Sequence, residues 1–105
     1  MLNLEWKHNG IDESILVGTL DRDTIPSIWK QVTTWTPTCN QHSICLQQVK
    51  RTDSAGMAFL IHLVKHAKQQ NCHIMMNNIP KQLYTLFRLS NVENVLGKHI
   101  RNVQE

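Results

Sequence analysis

The stretch that most constrains this chain runs through residues 53–67. Asp53 and Ser54 are residue types that cap helix starts, and Met57, Leu60, Ile61, Val64 and Ala67 then recur at three- and four-residue intervals. Phe59 and Leu63 are apolar as well. The first two turns are therefore greasy on nearly every side, which demands a sheet beneath and a neighbouring helix or a partner above. His62 interrupts the apolar runs and Lys65 closes them, far short of the roughly 20 residues that cross a bilayer. Direct membrane insertion is not expected, and the polar run Lys68-Gln69-Gln70-Asn71 ends the helix.

The flanking segments supply the sheet. Residues 4–8 and 14–19 read as two strands joined through Asn9-Gly10, an opening antiparallel hairpin. Asp21 and Asp23 then offer capping oxygens to a helix carrying Ile25, Ile28, Trp29, Val32 and Trp35, which Pro37 stops. Residues 43–49 are too short for an ordinary helix and read as a third strand, and residues 72–76 as a fourth. Pro80 is placed to open a last helix whose inward face is Leu83, Leu86, Phe87 and Ser90. Val92, Val95 and Leu96 make a short final turn before Gly97, and residues 97–105 are expected as a loosely held tail. Strand–helix–strand crossovers favour parallel pairing among the later strands, so the expected fold is α/β: a mixed sheet of about four strands with about three to four helices. Trp29 and Trp35 are expected in the core and Trp6 half exposed.

Length and composition fit one domain spanning residues 1–105. A chain of 105 residues with 41% hydrophobic and 18% charged content buries about two-thirds of its unfolded surface in a single core. Cys39, Cys45 and Cys72 are odd in number and irregularly spaced, which suits reduced, mostly buried thiols. Residues 1–7 show no secretory signal pattern, so the cytoplasm is the expected compartment. The net charge of +3 is spread along the chain without a dense basic block, and a nucleic-acid partner is not expected.

Two short patterns carry a family resemblance: Gly18-Thr19-Leu20-Asp21 after the second strand, and Val49-Lys50-Arg51-Thr52-Asp53-Ser54-Ala55-Gly56-Met57 between the third strand and its helix. Both resemble the signatures of the STAS family, Gly-Glu-Leu-Asp and Asp-Ser/Thr-small-Gly-Leu, with Thr19 in place of Glu and Met57 in place of Leu. Ala58-Phe59-Leu60-Ile61-His62-Leu63 and Leu83-Tyr84-Thr85-Leu86-Phe87-Arg88-Leu89 resemble, more narrowly, the STAS subunits of Mla lipid-asymmetry (toluene-tolerance) transporters. The resemblance spans residues 4–96. It implies a non-catalytic accessory subunit without a cofactor, bound to the ATPase subunit of a phospholipid ABC transporter and through it to a membrane permease. Such a subunit would sit at the inner face of the inner membrane. The alternative it implies is an anti-sigma-factor antagonist controlled by serine phosphorylation.

The expected regulatory or partner-contact residues are Ser54, Asp53, Thr52, Gly56 and Asp21. A hydroxyl such as that of Ser54 at a helix start satisfies an unpaired backbone N–H, and the same place tolerates a phosphate beside the positive end of the helix dipole. Gly56 is expected to let the helix start approach the sheet or a partner closely. The expected partner-binding surface is Arg51, Met57, Phe59 and His62, apolar anchors with Lys50 at the charged rim. Catalytic and metal chemistry find weaker support. His62 and His66 are four apart, but Leu63 stands where a metalloprotease needs Glu, and Cys39, His42 and Cys45 lack a fourth nearby ligand. Gly97-Lys98-His99 lacks the glycines and hydroxyl of a phosphate loop, and no Gly-x-Ser-x-Gly turn is present, although a Ser and a His could still meet in space.

Overall fold

Alternation along the strands decides which face of the sheet is covered. In the computed structural model, which describes residues 4–104, β1 (Leu4–His8), β2 (Glu13–Leu20), β3 (Gln41–Thr52) and β4 (His73–Asn77) form one sheet in the order β1-β2-β3-β4. β1 pairs antiparallel with β2, while β2–β3 and β3–β4 are parallel, as the hairpin and crossovers predict. Leu4, Trp6, Leu16, Ile44, Leu46, Ile74 and Met76 are buried at alternate positions, and the helices pack over that side. Met1–Asn3 and Glu105, at the two ends of the expected domain, lie outside the described residues.

α2 (Ser54–Gln69) lies over β3 and β4 and buries Phe59, Leu60, Leu63, Val64 and Ala67. α3 (Lys81–Leu89) packs beside it through Leu83 and Phe87, which answers the demand for cover on a second side. α1 (Pro26–Thr34) leans on β1 and buries Ile28 and Val32. α4 (Glu93–Leu96) and a 3-10 turn (Gly97–His99) close the chain, with Leu96 buried.

Four expectations need correction. β3 is longer than residues 43–49, reaching Thr52, because bulges opposite Leu16 and at Lys50 absorb the extra residues while pairing with β2 continues. The tryptophans exchange places: Trp6 is 8% exposed, while Trp29 is 40% exposed because α1 buries only a narrow stripe. Ser90 is exposed at the end of α3, not inward. The tail is not loose, since Ile100 and Val103 bridge in parallel to Met76 and Ile79, and the Arg101 and Gln104 N–H groups donate to the Met76 and Ile79 carbonyls at 2.8 Å each.

Candidate partner-binding site at the start of helix α2

Parallel pairing of β2 with β3 brings both sequence patterns to one end of the sheet. Leu20 sits opposite Thr52, so the residues that follow, Asp21 and Asp53, emerge side by side. Each carboxylate then organises its own turn. Asp21 Oδ1 accepts from the N–H groups of Asp23 (2.9 Å) and Thr24 (3.1 Å), shaping the turn that leads into α1. Thr24, which the sequence did not single out, locks that turn by donating its buried hydroxyl to the Thr19 carbonyl at 2.7 Å. Pro26 opens α1, and no side chain caps it, so Asp21 and Asp23 are not its caps.

Asp53 is the N-cap of α2. Its Oδ1 accepts from the Ala55 N–H at 2.9 Å and the Gly56 N–H at 3.1 Å. Ser54 is therefore relieved of the capping role expected of it. It is the first residue of the helix, exposed, and its hydroxyl makes no hydrogen bond among the described residues. Gly56 has a steric reason to be glycine: a Cβ there would stand 2.5 Å from Thr52 Oγ1 and 2.6 Å from the Leu20 carbonyl oxygen. The helix start thus touches the ends of both strands. Gly18, at φ 113° next to the Lys50 bulge of β3, occupies backbone space that side chains avoid.

Around this end the expected surface is partly redrawn. Lys50, Arg51 and His62 are exposed and Met57 is half-buried against the core, but Phe59 is 2% exposed and Thr52 is buried. Phe59 is corrected to a core residue because its side chain points beneath α2, and Thr52 to a packing residue under Gly56. The large aromatic exposed here is Trp29. Its ring lies 4.7 Å from the His62 ring, tilted 35°, and 6.4 Å from Phe59, making an aromatic step across α1 and α2. Helical spacing points away from it: Trp29 is spaced with Ile25 and Val32 as part of a buried stripe, whereas α1 buries only Ile28 and Val32.

The competing chemistries resolve into structural contacts. His66 Nε2 lies 2.9 Å from the Trp35 carbonyl oxygen and 2.8 Å from Gln70, while the His62 ring leans tilted against that of Trp29. A Ser and a His do meet: Ser14 Oγ lies 2.7 Å from His42 Nε2, and His8 Nδ1 is 3.1 Å from the same hydroxyl. Yet Ser14 and His42 are 0% and 1% exposed, so a substrate has no access to that hydroxyl. Burial, followed by the neighbouring His8, holds the His42 imidazole below its usual pKa. All three cysteines are free, but only Cys72 is buried. Among the described residues no three His, Cys, Asp or Glu side chains are grouped to hold a metal, and no helix is long and apolar enough to cross a membrane.

A family model described as "Mlab, STAS domain" matches residues 15–98, which include both patterns and every residue of this site. The chain belongs to the MlaB-type STAS domain family. It is 33% identical over 92 residues to the intermembrane phospholipid transport system binding protein MlaB of Escherichia coli (strain K12), covering 86% of this chain and 90% of that protein. The MlaB protein of Shigella flexneri matches to the same extent. Solved structures with the same fold include the phosphorylated form of the Bacillus cell fate determinant SpoIIAA, with a TM-score of 0.70 and 13% identity over 97% of this chain and 92% of that one. The murine anion transporter Slc26a9 matches with a TM-score of 0.68 and 17% identity over 89% of this chain and 16% of the transporter. An MlaB-type domain therefore shares its architecture with a cell fate determinant and an anion transporter, and the fold alone does not select among such settings.

Proposed function

We propose that this chain is a non-catalytic accessory subunit that binds the ATPase subunit of a phospholipid ABC transporter maintaining outer-membrane lipid asymmetry. Through that ATPase it would meet the membrane permease, at the cytoplasmic face of the inner membrane. The MlaB relatives, named as binding proteins of an intermembrane phospholipid transport system, support the setting. The observation that carries the contact is the exposed Trp29–His62 step, about two turns along α2 from its open Ser54 end. Large aromatic side chains with a charged rim, here Lys50 and Arg51, are the usual anchors of a protein interface. A contact at the Ser54 end would also explain why Asp53 rather than Ser54 does the capping, since the serine hydroxyl is left for the partner.

The test is a calorimetric titration of the chain into the transporter ATPase of the same organism, with ATP hydrolysis recorded in parallel. Saturable binding is expected, weakened at least tenfold by W29A and by S54E, which adds charge at the contact. No binding by folded wild-type protein would overturn the reading. The uncommitted Ser54 hydroxyl at a helix start favours one second reading, an anti-sigma-factor antagonist, for which a serine kinase that phosphorylates Ser54 would be the partner.

A further inference from the structure

A cleft of about 460 Å³ opens at the end of the sheet where β3 and β4 begin, opposite to the Ser54 end. Asn40 enters it just ahead of β3, His73 from the first position of β4, Lys68 and Asn71 from the end of α2, and Lys98 and His99 from the 3-10 turn. Two ammonium groups, two imidazoles and two amides thus converge, and no acidic side chain is among the described lining residues. The helix dipole accounts for Lys68 at the C-terminus of α2 but not for the other three basic groups, which come from β4 and the 3-10 turn.

The imidazoles are fixed in place. Their rings stack at 4.4 Å and 24°. His73 Nε2 lies 2.9 Å from the Lys98 carbonyl oxygen and His99 Nδ1 lies 2.8 Å from that of Ile74, so each ring donates to backbone through that nitrogen. Burial, and then His73, Lys68 and Lys98, hold His99 below its usual pKa, against the opposing bond to Ile74. Negative charge is what such a group of neighbours lacks, and the cleft has the volume of a small-molecule site.

We propose that this cleft binds a phosphate-bearing anion, through Lys68, Lys98, His73 and His99, with the amides of Asn40 and Asn71 as additional donors. The phosphate could be that of a small soluble molecule or of a lipid headgroup, and the proposal does not depend on the ATPase contact at the other end of the sheet.

The test is a titration of isotope-labelled protein, followed by amide and imidazole resonances at constant ionic strength. Inorganic phosphate and glycerol 3-phosphate are one arm; sedimentation with phosphatidylglycerol vesicles, against phosphatidylcholine vesicles, is the other. Saturable shifts confined to Asn40, Asn71, His73 and His99, with the His99 titration moved upward, assign a soluble phosphate. Sedimentation with the anionic vesicles alone assigns a headgroup. The K68E/K98E variant alters two exposed side chains and should bind at least tenfold more weakly in whichever arm responds, with K98Q as the milder variant should the double change unfold. The absence of a saturable response in both arms, or undiminished binding by the folded charge variant, would overturn the proposal.

Discussion

Asp53 and Ser54 are adjacent polar residues with near-equal capping propensity, and the chain divides the work between them unequally. Only Asp53 accepts helix N–H groups. D53A should therefore lower unfolding free energy by about 1 kcal/mol, while S54A should change it by only about 0.5 kcal/mol or less, both read from urea denaturation midpoints. Gly56 presents the opposite economy, a residue kept small by what surrounds it. G56A forces a methyl against Thr52 Oγ1 and the Leu20 carbonyl, and should cost about 1–3 kcal/mol despite alanine's better helix propensity. Histidine sets the pH response. The folded-state pKa values of His42 and His99 lie below the ordinary imidazole value of about 6.5, mainly through burial, so the unfolded chain takes up protons that the native chain refuses. The stability they contribute is fully present above about pH 6.5 and is lost as pH falls below it. Around His42 the counteracting groups are Asp12, the Ile11 backbone and Glu13, with His8 acting alongside burial. The urea midpoint should be lower at pH 5.5 than at pH 7.5, and the H42Q/H99Q variant, though less stable, should show a flatter dependence between them.

At the scale of elements, the greasy start of α2 was readable because its apolar residues exceed what one buried face can hold. That excess correctly requires α3 as a neighbour, but it does not say which residues turn toward it. Phe59 reads as an interface anchor in one dimension and is a core residue in three. F59D would consequently unfold the protein, costing more than about 3 kcal/mol, and would report nothing about a partner. The informative substitution is W29A, which should leave the unfolding free energy within about 1 kcal/mol of wild type while reducing ATPase affinity at least tenfold. Trp29 escaped the sequence reading because its spacing to Ile25 and Val32 suits a buried stripe, whereas α1 has nine residues and leans on β1 with only two of them buried. The motif ends of β2 and β3 were legible for a different reason. Parallel strands joined by crossovers deliver their C-terminal ends to one side, so Asp21 and Asp53 had to meet there.

For the molecule as a whole, element order and strand polarity were set by local patterns, while long-range closure was not. The Ser14–His42 pair is separated by 28 residues and the bridge from Ile100 to Met76 joins segments that carry no shared pattern. Residues 98–105 are polar enough to pass for a tail, yet Ile100 and Val103 find the core and His99 donates to the Ile74 carbonyl. Ending the chain after Gly97 should lower the unfolding midpoint measurably, with the Asn78 and Ile79 amides, just beyond β4, gaining hydrogen exchange as their acceptor Asn102 is lost. That segment also has a meaning beyond stability. By occupying the backbone groups of Met76 and Ile79, it shields the outer border of the sheet from acting as a template for another chain. The intact protein is thereby steered toward side-chain recognition by its partners, and loss of those few residues would leave a β4 border open to strand-by-strand aggregation of identical copies.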